Sequence, residues 1–242
     1  MTVKHLLLLG WMFFLAGCGT PEATTPGPTP EVIKVYYPAA LQPWADRLSV
    51  CAGSNSQIAV FFMQSENPGS SLSRHDIVLE MGNPIEIDAS TYAAQVGWEQ
   101  VVVLVNSANP ILQVTSDKLE QIFSGQVLDW ESGSNQLIHV WVLPEGETTH
   151  QIFDNALVLT QPLAPEAMLA PDPVAMLKAV SQDESAIGYL PQSILSRNDS
   201  VKILQLEPSL QQALRQPVIA ITRDEPSGQV RSLLACLQTT NP

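Results

Sequence analysis

The sequence predicts an α/β fold with mostly parallel sheets flanked by helices, and three observations predict it. Residues 101–105, VVVLV, are five apolar β-formers in a row, the pattern of a strand buried on both faces. Strand-like and helix-like segments alternate along the chain with short connections, as right-handed crossovers require. Of the 242 residues 45% are hydrophobic, enough for sizeable cores, and the chain carries no internal repeat.

Residues 1–17 read as a lipoprotein signal peptide. Lys4 and His5 precede an apolar run at 6–15, short for a bilayer span, which ends in Leu15-Ala16-Gly17-Cys18. That tetrapeptide has the form of a lipobox, the signal for cleavage before Cys18 and diacylation of its sulfur. Residues 18–30 contain PEATTPGPTP, an extended tether. Residues 31–37, EVIKVYY, alternate as a first strand that Pro38 stops, and Pro43 opens a helix carrying Trp44, Leu48 and Val50. Residues 58–63 and 76–81 are the next strands, the latter ending in Gly82-Asn83-Pro84. After the 101–105 strand, Asn109-Pro110 breaks the chain. Thr115 or Ser116 then caps a helix with Leu119, Ile122 and Phe123 as its stripe and Gly125 at its end. Residues 137–143 form a strand. Thr148 and Gln151 have capping-box spacing and open a helix that buries Ile152, Phe153, Ala156 and Leu157. A helix at 173–180, strands at 185–190, 201–206 and 218–222, and a helix at 229–237 complete the chain.

Beyond the 101–105 strand stand Asn106, Asn109, Pro110, Thr115, Ser116, Leu119, Ile122, Phe123, Ser124, Gly125, Asp129 and Trp130, and later Ala186-Ile187-Gly188-Tyr189. In these residues the chain resembles the extracytoplasmic solute-binding proteins of ABC transporters, the phosphate-binding branch in particular. The resemblance covers roughly residues 101–190. It implies a two-lobe, type II periplasmic-binding-protein-like fold with two crossover connections and a ligand groove between the lobes. Lobe 1 would be residues 31–105 with 199–242, and lobe 2 residues 106–198. Ligands in such sheets lie beyond the carboxyl ends of the strands, which brings Tyr37, Gly82 and Asn83 to the groove. Asn106 is a further candidate, although for Asn83 and Asn106 the reading as turn residues with local hydrogen bonds is the stronger one. The family's Ser-Gly-Thr grip on an oxyanion falls on Glu147-Thr148-Thr149, of which only the last residue type is kept. Its Ser-Arg falls near Gly82-Asn83, without the arginine. Glu147 therefore puts a carboxylate beside the hydroxyls and N–H groups of Thr148 and Thr149 at a positive helix end.

The net charge of −13 becomes −14 once Lys4 leaves with the leader, which argues against nucleic acid and anionic membrane surfaces as partners. Candidates for catalysis are few. His75, His139 and His150 lack a His-x-x-x-His or Gly-x-Ser-x-Gly context, and no Cys/His spacing suits a metal. Asp183-Glu184 and Asp224-Glu225 read as solvated charge, Trp98 and Trp130 as packing residues, and His150 as solvated or a pocket donor. The expected protein is a monomeric, non-catalytic solute-binding protein without a cofactor, lipid-anchored outside the cytoplasm. It would capture a small polar ligand, oxyanions included, for an ABC permease. The alternative is a ligand-degenerate sensor or assembly lipoprotein of the same fold. With Cys18 committed to lipid, Cys51 and Cys236 remain in a compartment that permits disulfides. The two-lobe topology assigns both to lobe 1, so a bridge between them is expected.

Overall fold

The computed structural model describes residues 30–53, 57–65, 76–82, 91–130, 137–157, 162–195 and 200–239. The signal peptide, the lipidation residue Cys18, the tether up to residue 29, and Asn83 lie outside them. In chain order the elements are β1 (Glu31–Tyr37), α1 (Gln42–Gly53), β2 (Ile58–Gln64), β3 (Ile77–Met81), β4 (Tyr92–Asn106), α2 (Ser116–Phe123), β5 (His139–Val142), α3 (Thr148–Leu157) and β6 (Met168–Leu169). Then follow α4 (Pro173–Gln182), β7 (Ala186–Pro191), β8 (Val201–Ile203), α5 (Pro208–Ala213), β9 (Arg215–Thr222) and α6 (Gly228–Thr239). The strands join in the order β2-β1-β3-β9-β4-β7-β5-β6, with β8 also on β4.

The first strand behaves as its alternation requires: Ile33, Val35 and Tyr37 point inward while Val32 and Lys34 are exposed. It lies parallel to β2 and β3. Behind it α1 buries Trp44, Leu48 and Cys51, which follow one another at helical spacing. Val50 falls off that stripe and is 77% exposed. In lobe 2, Thr115 caps α2 by accepting from Lys118 N at 3.3 Å, and Leu119, Ile122 and Phe123 are buried beneath it. Phe153 of α3 stacks on Tyr189 of β7 with centroids 3.9 Å apart, and Phe123 closes the group at 4.8 Å from Phe153.

The long strand β4 joins the two lobes. Its first half runs antiparallel to β9, and its last residues run antiparallel to β7 and β8. Residues 101–105 are buried as their composition demands, yet they have no parallel neighbour. The parallel pairings are those of β1 with β2 and β3, and of β5 with β6 and β7. An apolar run reports burial on both faces and carries no information on strand direction. Direction here follows from the returning chain, which travels back alongside β4. Leu204 N donates to Val103 O and Val101 N donates to Leu214 O, both at 2.9 Å, while α5 loops out between. α6 returns to pack on α1, where Cys51 and Cys236 are disulfide-bonded with their Cα atoms 6.0 Å apart.

A buried carboxylate fastens this junction. Glu99 of β4 accepts from Trp44 Nε1 at 2.7 Å and from the backbone N–H groups of Gln100 and Ser193 at 3.1 Å each. It thereby ties α1 to the short helical turn after β7. Glu99→Ala strands an indole N–H that is 1% exposed together with its residue. The expected cost is about 3 kcal/mol of unfolding free energy, since buried unsatisfied donors cost roughly 1–3 kcal/mol each. Urea unfolding with an unchanged m-value checks it, and a loss under about 1 kcal/mol would contradict the bonding pattern.

Two further side chains depart from expectation. Trp98 is 45% exposed and lies under the guanidinium of Arg215 at 4.5 Å from its ring centroid, so it is a surface stacking residue rather than a packing one. Asp183 is engaged rather than simply solvated: Oδ2 lies 2.6 Å from His139 Nδ1, and Oδ1 accepts from Ser185 N at 2.9 Å.

Candidate functional site

The start of α3 is built around Glu147. Its N–H donates to Pro144 O at 2.9 Å as the chain turns out of β5. Its Oε2 accepts from His150 N at 3.0 Å, and its Oε1 from Thr149 Oγ1 at 2.9 Å. Glu147 therefore takes the capping role that the Thr-x-x-Gln spacing assigned to Thr148. Thr148 is instead the first helical residue, half-buried, with no side-chain hydrogen bond to a described residue. Glu147 is 4% exposed and Thr149 is 0% exposed, which removes the Thr149 hydroxyl from any ligand's reach. A full negative charge now stands on a helix end that carries about half a positive charge. The arrangement is complete without an external anion.

Behind the cap lies a polar chain. Tyr189 OH accepts from Leu143 N at 3.2 Å and lies 2.6 Å from His150 Nδ1. Burial pushes the Tyr189 phenol well above its ordinary range, so it keeps its proton. On the other side of the ring, His150 Nε2 lies 3.1 Å from Asp154 Oδ2. His150 is 4% exposed, so it is a core residue rather than a solvated one or a donor lining a pocket.

Across from α3 stands Gly82, at the end of β3. Its φ of +88° favours glycine, and its N–H donates to Pro217 O at 2.9 Å. A Cβ placed there would meet Gln216 Oε1 at 3.4 Å and Ile152 Cδ1 at 3.9 Å. Lobe 1 and α3 of lobe 2 thus come within reach at Gly82 and Ile152. Sequence reasoning placed Ile152 in a core stripe and had no signal for Gln216, which arrives from the distant β9. Tyr37 is 6% exposed; its OH donates to Gln42 Oε1 at 2.9 Å and its ring meets Phe62 edge-on. Asn106 is 6% exposed, its Nδ2 donating to Val180 O at 3.1 Å and Ser181 O at 3.0 Å, its Oδ1 accepting from Ala108 N at 3.0 Å. That closes the end of α4 and a turn, leaving no amide hydrogen for a ligand. Among the described residues no three His, Cys, Asp or Glu converge as a metal site, and no helix is long and apolar enough to cross a membrane.

A family model described as a PBP superfamily domain matches residues 88–241. The chain belongs to that family. Several solved structures share the fold of this PBP domain. A putative phosphate ABC transporter substrate-binding protein from Clostridium perfringens, with bound phosphate, superposes at TM-score 0.68 and 14% identity, over 86% of this chain and 93% of that one. An ABC-type phosphate transport receptor from Vibrio cholerae gives 0.61 and 18%, over 87% and 94%. The reduced OxyR regulatory domain from Pseudomonas aeruginosa gives 0.60 and 11%, over 87% and 98%. No match is found among curated proteins. The superpositions establish the two-lobe, type II periplasmic-binding-protein fold for the PBP domain. Because transport receptors and a regulatory domain share it, function has to be argued from the site.

Proposed function

We propose that this chain is a lipid-anchored, extracytoplasmic solute-binding protein that holds a small polar ligand between its lobes and presents it to an ABC permease. Cys18 carries the anchor, and the protein is monomeric and non-catalytic. One observation carries the reading: Gly82 of lobe 1 and Ile152 of α3 come within reach of each other. A ligand held in the groove beside this contact touches both lobes only when they close, so binding shifts the population toward the closed state. The phosphate-transport names of the Vibrio and Clostridium structures support a transport role. Their ligand does not carry over, because the Glu147 carboxylate already holds the helix end and repels a second anion. To the groove we assign the Thr148 hydroxyl and the Gly82 backbone. Thr149 holds the Glu147 carboxylate in place from within the helix end. The ligand that fits is uncharged or cationic on the side facing α3.

The same Glu147, with Ile152 beside Gly82, favours a second reading, a ligand-degenerate sensor or assembly lipoprotein. Thermal-shift measurements on the processed chain separate the two. A sugar, polyol or cationic solute is expected to raise Tm through preferential binding to the folded state, and Thr148→Val to remove the rise. Phosphate and sulfate are expected to do neither. A blank across all classes would move the conclusion to the second reading.

A further inference from the structure

A cavity of about 510 Å³ opens at the start of α2, where the 111–115 loop faces the returning chain at 205–207. Its volume lies within the range of small-molecule sites, about 300–1,000 Å³. None of the groove residues Gly82, Thr148 and Ile152 lines it. The two walls are joined by backbone bonds, Val114 N to Gln205 O at 3.1 Å and Gln205 N to Leu112 O at 2.9 Å, so the cavity is held open by structure. Its apolar lining is Ile111, Val114, Ile122, Trp130 and Leu206. Trp130 is 7% exposed and fixed by its Nε1 donating to Ser185 O at 3.1 Å.

Two opposite charges line the same space without pairing with each other. Glu207 Oε2 accepts from Ser116 Oγ at 2.5 Å and Ser116 N at 3.0 Å. These bonds hold its carboxyl below the usual carboxylate range, and its Oε1 has no partner among the described residues. The ammonium of Lys118 likewise has no hydrogen bond or ion pair to a described residue. An ammonium and a carboxylate held apart over an apolar wall are complementary to a zwitterion with an apolar body. We infer that this cavity is a second ligand site, for an α-amino acid with an apolar side chain. The ligand carboxylate meets Lys118, its ammonium meets Glu207 Oε1, and its side chain lies against Trp130 and Ile122.

The test uses the processed chain with L-phenylalanine and L-leucine as probes, read by calorimetry and by the Trp130 indole N–H resonance. Both amino acids are expected to shift that resonance saturably. Phenylpropionate, which lacks the ammonium, and phenethylamine, which lacks the carboxylate, are each expected to bind at least roughly tenfold more weakly. Lys118→Gln and Glu207→Gln should each weaken phenylalanine by a similar factor; the glutamine keeps an acceptor for Ser116, so the fold is retained. No movement of the Trp130 resonance at millimolar amino acid would overturn the assignment. So would equal binding of the half-charged analogues, or affinity that neither variant changes.

Discussion

Removing the Cys51–Cys236 bridge is expected to lower the unfolding free energy by about 4–5 kcal/mol, the largest single loss anticipated for this chain. The bond closes a sequence separation of 185 residues and fastens the first helix to the last. The magnitude follows from loop length in the chain-entropy account: the longer the loop, the more freedom the unbridged denatured chain recovers. The folded contacts survive, because α6 buries Val230, Leu233, Leu234 and Leu237 independently of the sulfur. The double variant Cys51→Ala, Cys236→Ala should therefore keep its native far-UV spectrum while its guanidinium midpoint falls steeply. A loss below about 1 kcal/mol would mean that the denatured chain is already compact around these helices, and would sink the entropic argument.

The residues that made the sequence legible are those whose reasons are local. EVIKVYY alternates, so β1 has the bounds expected of it; Thr115 precedes an apolar stripe, so α2 begins where its cap stands. What escaped notice depends on distant partners. The first half of β4 has no apolar run, and its Glu99 is buried only because Trp44, 55 positions earlier, supplies a donor. The antiparallel setting of residues 101–105 is decided by their pairing with the distant β7, and α5 and β6 are too short to leave a periodic signal. At the site, the spacing of Thr148 and Gln151 suggested a short-side-chain cap. Glu147, one position earlier, accepts instead from the N–H of His150 and starts the helix one residue before that spacing indicates. Asn106 was ambiguous for a physical reason, since a groove asparagine and a turn asparagine look alike until their partners are visible.

Glu147→Ala is expected to cost stability and to change what the helix end accepts. Two donors lose their acceptor, the Thr149 hydroxyl, whose residue is 0% exposed, and the N–H of His150, whose residue is 4% exposed. At roughly 1–3 kcal/mol for each stranded buried donor, the loss is about 2–5 kcal/mol. The isosteric Glu147→Gln separates shape from charge: its amide oxygen retains one acceptor while the negative charge disappears, so its cost should be smaller. In both variants the positive end of α3 no longer faces its own carboxylate. Phosphate or sulfate, inert toward the parent, should then raise Tm, more in the alanine variant because the vacated volume admits an oxygen atom to the N–H of His150. The measurement is Tm against phosphate concentration at constant ionic strength for the three proteins. If phosphate stabilises the parent as much as either variant, Glu147 does not guard the helix end, and the case against an oxyanion ligand falls with it.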